Sequence, residues 1–373
     1  MLRQLRCGIR TYKVLAIESS CDDSCVSLIE RSAGTKPVVL DHVKSTLNSV
    51  KAGGVIPTSA HLHHQKSIAG LVKQILQKHS IKGVNCPELV CVTRGPGMPG
   101  SLSIGVDTAK GLSVAWGCQF LGVHHMLGHL LIPRLESNGE EPQFPFLSLL
   151  ASGGHTMLVL SRSLLDHEIL VNTIDIAAGD ALDKCAREIG IQGNMIGKEL
   201  ESFLNENPEL SLKDIPWKMP QPLKNKPKRV DTLGFSFTPF ISGVKLSLER
   251  YHNNEVTDEL KPAMGFKIQE AIFDHIIDRV LVAYKVRPEL NQINTFVCSG
   301  GVAANQRLRV KLQTALKSHG VENFHFPPPA LCTDNAIMIG WAGIELYENG
   351  ITSGLDVTPL RKWSVEGLEK SDF

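Results

Sequence analysis

The sequence has no uninterrupted apolar run of the ~18 residues needed to cross a bilayer. Even the apolar stretch from Phe144 to Leu160 is broken by Ser152, Gly153, Gly154 and His155. A soluble protein without a membrane contact is expected. Cysteine pairing is also missing: the nine cysteines are scattered, and the close pair Cys21 and Cys25 has no second pair to complete a structural zinc site. Reduced, mostly buried thiols follow. There is no strong charge of one sign either. A net charge of +1 says little about partners, because nucleic-acid binding depends on local basic patches. Acids are absent from the first stretch of chain, where Arg3, Arg6, Arg10 and Lys13 all precede Glu18. That bias predicts a mitochondrial presequence over residues 1–12, although a plain basic tail has the same composition.

Hydrophobic residues make up 42% and charged residues 21%, ordinary globular proportions that exclude disordered and fibrous classes. At 373 residues the chain exceeds the ~250–300 residues of a single core, so two lobes are expected. The pattern supports them. Lys13 to Glu30 reads as two apolar strands around a small acidic turn, and Phe146 to Leu160 repeats that hairpin around Ser152-Gly153-Gly154-His155. Later, Glu88 to Val92 runs through the glycine-rich turn Arg94 to Gly100 into a helical Ser101 to Trp116. Thr295 to Cys298 does the same through Ser299-Gly300-Gly301 into Val302 to Lys317. The repeat predicts a duplicated α/β architecture with a ligand cleft between two lobes. Glycine turns and helix N-termini there would offer backbone N–H groups to phosphates. Two unrelated hairpins would give the same local pattern.

A proline-rich stretch near residues 205–230 reads as an exposed loop. Within it, Lys218 to Arg229 holds five basic residues and no acid, beside Trp217 as a stacking group. An RNA contact and a solvated charge run are equally compatible with it. Arg307, Arg309 and Lys311 are further basic candidates.

The chemistry-bearing residues fall into three groups. His125 and His129 in Val123-His-His-Met-Leu-Gly-His129 share one helical face and can share a metal ion, or be a structural pair. No glutamate follows His125, which argues against zinc-peptidase chemistry. Asp334 is a candidate third ligand, with an N-cap as its ordinary reading. Two histidines and one carboxylate would leave open positions, suiting iron or zinc in a catalytic site. Asp180 and Asp183 lie one helical turn apart, and either can hold a ribose hydroxyl. Asp22 or Asp23 at the acidic tip can orient an amine or cation, with Asp22 preferred, or simply be solvated.

The segments IESSCDDS, PTSAHLHH, RGPGMPGSL, GVHHMLGHL, LLASGGHT, DIAAGDALDKCAR, GFSF, CSGGVAANQRLR and LCTDNAIM, in this order, resemble the universal tRNA threonylcarbamoyladenosine transferase family, once catalogued as O-sialoglycoprotein endopeptidases. The resemblance spans about residues 13–350. It implies a duplicated actin-like ATPase fold of the sugar kinase and Hsp70 type, with two lobes around a nucleotide cleft. The first lobe would be 13–140 joined by 331–373, and the second 141–330 with a basic insertion near 205–230. It also implies transfer of a threonylcarbamoyl group from threonylcarbamoyl-AMP to N6 of the adenosine at position 37 of tRNAs that read codons beginning with adenine.

By the same resemblance, the metal ligands and catalytic residues are His125, His129 and Asp334, and Asp22 joins them as a catalytic candidate from the acidic tip alone. The donor nucleotide is held by Leu150, Ala151, Ser152, Gly153, Gly154, Asp183, Gly197 and Asn305, to which the pattern of glycine turns adds Gly300 and Gly301 as phosphate-binding candidates. Leu150 and His155 resemble the bacterial and organellar branch rather than the cytosolic one. Met195-Ile196-Gly197 replaces a usual glycine pair, and Thr238 to Ile241 form an apparent insertion before Lys245. The implied setting is the mitochondrial matrix, the implied state a homodimer, and the implied partners tRNA and an upstream threonylcarbamoyl-AMP synthase. A small-molecule kinase of the same fold, a non-enzymatic ATP-binding module and the old peptidase assignment are the rival readings.

Overall fold

A computed structural model describes residues 11–49, 54–135, 141–193, 196–224 and 229–373. Most of the predicted presequence, and Lys226 and Lys228 of the basic stretch, lie outside the described residues. The chain divides into two compact units, Met1–Glu136 with Asp334–Phe373, and Ser137–Thr333.

The first unit opens with β1 (Thr11–Glu18), β2 (Asp23–Ser32) and β3 (Val38–Thr46), an antiparallel meander. It continues with α1 (Pro57–Lys78), β4 (Leu89–Gly95), α2 (Pro99–Trp116), β5 (Gln119–His124) and α3 (His125–Leu135). The sheet order is β3-β2-β1-β4-β5, with β4 parallel to both β1 and β5. Val14 to Ile17 and Leu89 to Val92 are fully buried, as expected of central strands covered on both faces. That is why they read as unbroken apolar runs rather than alternating ones.

The second unit begins with β6 (Phe146–Ala151), β7 (Thr156–Ser161) and β8 (His167–Thr173), again an antiparallel meander. Then come α4 (Ala178–Glu188), α5 (Ile196–Glu206), the single turn α6 (Pro208–Ser211), β9 (Gly234–Phe235), α7 (Thr238–His252) and α8 (Lys261–Val286). The unit closes with β10 (Thr295–Ser299), α9 (Gln306–Leu316), β11 (Asn323–His325) and the short α10 (Pro329–Cys332). Its sheet order is β11-β10-β6-β7-β8-β9, with β10 parallel to β6 and β11. Reading β6 as the counterpart of β1, the five-strand plan of the first unit recurs with β9 added at one edge.

The chain then returns to the first unit through α11 (Ala336–Glu348), buried along almost its whole length. Gly340 and Gly343 let α11 lie close to the sheet: a Cβ at Gly343 would collide with Cys91, and one at Gly340 with Ile29. Side chains there would force the helix outward. Residues 351–373 form an irregular strap: Leu360 N–H donates to Arg94 carbonyl oxygen (2.8 Å), and Arg94 Nε donates to Thr358 carbonyl oxygen (3.0 Å). No helix among the described residues is long and apolar enough to cross a membrane.

The proline-rich stretch is more ordered than its sequence suggested. α5 and α6 occupy its start, and Trp217 is 3% exposed with its ring edge-on to His252, so it offers no stacking surface. Apolar burial of an indole outweighed the polar composition around it.

Candidate metal centre and glycine turns

β5 passes directly into α3, so His125 starts the helix and His129 follows one turn later. The helix start is capped by His124: its Nδ1 accepts from the backbone N–H of Met126 (3.1 Å) and Leu127 (3.4 Å), and its Nε2 donates to Trp363 carbonyl oxygen (3.1 Å). The rings of His125 and His129 lie 5.0 Å apart and nearly perpendicular. Both are buried.

Asp334 reaches them from the far end of the chain. The N-cap of α11 is its neighbour Asn335, whose side chain accepts from Met338 N–H (2.9 Å). The capping role is therefore taken, and Asp334 carries its carboxylate to the histidines instead. Asp334 Oδ1 lies 3.1 Å from His129 Nε2 and 3.5 Å from His125 Nε2. The three donor atoms fall within 4.8 Å of one another, a spacing one ion could bridge. Nitrogen and oxygen donors suit zinc or iron, and the Asp334 side chain, 26% exposed, leaves an open flank.

The electrostatics match a cation-seeking site. Burial works against charging His125, but the carboxylates of Glu18 and Asp334 overcome it and push the imidazole up to about 9. Burial likewise opposes ionisation of Asp334, and the His125 charge with the His129 hydrogen bond holds it well below the usual carboxylate range. Without a metal the positive charge is supplied by a proton, which a metal ion would replace.

Asp22 sits at the β1–β2 tip, outside this cluster, with its carbonyl accepting from Leu47 N–H (2.9 Å). Asp23 is engaged by Lys44 Nζ (2.6 Å) and Thr46 Oγ1 (2.5 Å). The tip is fixed from behind: His64 Nε2 donates to Cys21 carbonyl oxygen (2.9 Å), and its Nδ1 pairs with Ser24 Oγ (2.7 Å). Sequence reading missed Glu18, Ser20, His64 and His124. Glu18 carried a signal, an acid closing an apolar strand inside a motif already singled out.

In the second unit the β6–β7 tip is a tight turn. Ser152 N–H donates to His155 carbonyl oxygen (2.8 Å), and Ser152 Oγ accepts from the N–H of Gly154 (3.3 Å) and His155 (3.0 Å). Gly153 and Gly154 are exposed, whereas the side chains of Leu150 and Ala151 belong to the core, leaving only their backbone for a ligand. Gly300, at φ +101°, packs on Ala151 where any Cβ would strike the Ala151 carbonyl, so the second glycine turn lies against the first strand. Gly301 follows it. The N-terminus of α4 meets the tip as Gly179 N–H donates to Ser152 carbonyl oxygen (3.1 Å). Asp183 Oδ1 accepts from Gly197 N–H (3.1 Å), and burial raises the Asp183 carboxyl above its ordinary range.

Several of the residues singled out in the sequence already have partners in the structure. Asn305 caps α9, accepting from Arg307 N–H (2.9 Å) and Leu308 N–H (3.3 Å) and donating to Gln269 Oε1 (3.0 Å), so its side chain is already occupied. Arg309 is buried, donating to the carbonyls of Ala303 (2.7 Å) and Pro327 (2.9 Å), and is not a nucleic-acid contact. Arg307 and Lys311 both pair with Glu270, at 2.8 and 2.7 Å. Lys245 lies on the surface 3.2 Å from Glu188.

With that geometry in place, the chain's relatives can be named. Residues 39–341 match the TsaD family, described as tRNA N6-adenosine threonylcarbamoyltransferase. The chain belongs to this family. It is 38% identical to the mitochondrial tRNA N6-adenosine threonylcarbamoyltransferase of Schizosaccharomyces pombe, over 99% of this chain and 92% of that one. It is 33% identical to the Wolbachia pipientis enzyme of the same name, over 95% and 98%. Two solved HypF structures share the fold at low identity: one in a phosphate- and nucleotide-bound form (14% identical, TM-score 0.53) and one from T. kodakarensis (12%, 0.57). Each covers 91% of this chain, which spans about half of theirs, 56% and 48%. The fold is the duplicated actin-like ATPase fold, and the chain is a tRNA-modifying transferase whose substrate is tRNA.

Proposed function

We propose that the chain transfers threonylcarbamoyl from threonylcarbamoyl-AMP to N6 of adenosine 37 in tRNAs reading codons that begin with adenine. The observation that carries this reading is the convergence of His125, His129 and Asp334 within 4.8 Å. These three residues would hold one iron or zinc ion. A metal bound there would supply Lewis-acid polarisation of the threonylcarbamoyl carbonyl.

The chain's own residues do the rest. The exposed glycine turn at Gly153 and the turn at Gly300 and Gly301 are assigned to the adenylate phosphate and to the charge growing on it, since the Ser152 and Gly154 amides already donate within their turn. Asp183, fixed by Gly197, takes a ribose hydroxyl, and Asp22 orients the incoming amine. Asn305 serves this site by holding α9 in place. The adenosine amine forms a bond to the carbonyl carbon and loses a proton, the bond from that carbon to the phosphate oxygen breaks, and AMP leaves with the electron pair. Lys218 and Arg229 are the basic residues assigned to tRNA, Lys224 being paired with Asp278 at 2.6 Å.

The organisation follows the two units, one actin-like lobe each. The S. pombe relative and the basic N-terminus support a mitochondrial matrix setting with a cleaved presequence, and the reading includes a homodimer fed by a separate threonylcarbamoyl-AMP synthase. The kinase alternative would need carboxylate-held magnesium, which a histidine pair does not favour. The test incubates the protein with unmodified tRNA, threonine, bicarbonate, ATP and that synthase, then analyses digested nucleosides by mass spectrometry. Modified adenosine formed with the wild type and lost in His125→Ala supports the reading; its absence in both overturns it.

A further inference from the structure

We propose that Glu18 is a positioning residue for the metal centre: its carboxylate holds the His125 ring with the proton on Nδ1 and Nε2 as the donor atom. The proposal rests on the metal reading above.

Glu18 ends β1, after four fully buried apolar residues, and is itself 0% exposed. A charge so placed persists only where partners compensate it. Its Oε1 accepts from Ser20 N–H (2.6 Å), and its Oε2 accepts from the Thr93 hydroxyl and lies 3.2 Å from His125 Nδ1. Two neutral donors alone would be satisfied by an uncharged amide without the expense of burying a carboxylate. The group that needs the charge is the imidazole, and His125 is the ion-pair partner of Glu18 among the described residues. Ser20 Oγ also lies 3.2 Å from Nδ1.

The Glu18 carboxylate, which when ionised can only accept, therefore meets Nδ1 beside the Ser20 hydroxyl, while Nε2 faces Asp334 at 3.5 Å. Such a carboxylate–histidine arrangement fixes ring orientation and raises the basicity of the donor nitrogen toward a metal. The same carboxylate grips Ser20, so the hairpin tip bearing Asp22 is registered to the ring that binds the ion.

The test uses the full chain and cobalt(II) and zinc(II) titrations, read by visible absorption and equilibrium dialysis. The wild type is expected to bind one ion, and His129→Ala to bind it far more weakly; failure of either overturns the metal reading itself. Given both, Glu18→Gln is expected to weaken binding about 10- to 100-fold and to alter the cobalt absorption bands, with an unchanged circular dichroism spectrum. Glu18→Gln binding like the wild type would overturn the proposal alone. Should that variant not fold, ¹⁵N spectra of the zinc-loaded wild type decide: protonated Nδ1 and metal-shifted Nε2 at His125 support the proposal, and the opposite tautomer overturns it.

Discussion

The two units run the same strand plan yet equip it with opposite chemistry. In the first, the strand ends carry Glu18, His125 and, from α11, Asp334, all charged or chargeable and two of them buried. In the second, β6 and β10, the counterparts of β1 and β4, end at Ala151 and Ser299 and open into the glycine turns Ser152-Gly153-Gly154 and Gly300-Gly301, with no carboxylate at either strand end. On the proposed reading, the strand ends of one unit hold a cation through side chains, and those of the other hold an anion through backbone. A shared scaffold thus fixes where the termini of strands gather, while the few residues at those termini fix the sign of what they attract.

The sharpest way to break the comparison is to remove the charge from the first unit. Asp334→Asn should lower transferase activity by about 100-fold or more, as expected from losing several kcal/mol of metal-derived stabilisation, with AMP binding unchanged in calorimetry. Equal loss of AMP binding would show that the units do not divide the work. The converse change acts on the second unit. Gly300→Val places a branched side chain at φ +101° against the Ala151 carbonyl, and should destabilise by about 3 kcal/mol in urea unfolding while zinc affinity of the folded protein stays as it was.

A third prediction uses the buried histidine of the second unit. Burial, followed by the Arg279 charge, depresses His275 to about 4, and its Nε2 accepts from Ser236 N–H (3.1 Å). The native ring stays neutral while the unfolded one takes up a proton near pH 6.5. Stability from this group is therefore complete above about pH 6.5 and is lost as pH falls toward 4, by up to about 3 kcal/mol. His275→Leu should flatten that slope in pH-dependent denaturant melts. The smallest effect is expected at Asn335→Ala, about 1 kcal/mol from loss of the α11 cap, accompanied by weaker zinc binding because Asp334 adjoins the cap.

Much of this was legible in the residues. Apolar runs at Val14 to Ile17 and at Phe146 to Ala151, the latter interrupted by Ser148 alone, marked buried strands, and the spacing of His125 and His129 marked one helical face. What escaped reading depended on contacts far apart in sequence. Nothing local distinguishes Asp334 from Asn335 as the cap; the choice follows from what each meets after folding. Glu18 and His125 are separated by 107 positions, and no periodicity links them. Trp217 and Arg309 misled in the same way: both lie in polar, basic surroundings, and both are drawn inward by partners that local composition does not reveal.

The seat of α11 has a wider consequence. Asp334 immediately precedes a helix pressed flat on the sheet by Gly340 and Gly343, and tied to the histidine-bearing α3 where the Trp341 indole donates to Leu131 carbonyl oxygen (3.1 Å). The reach of the carboxylate is thus calibrated by residues that never approach an ion. Sequence drift at those two glycines would shift the Asp334 carboxylate relative to His125 and His129 without altering any of the three.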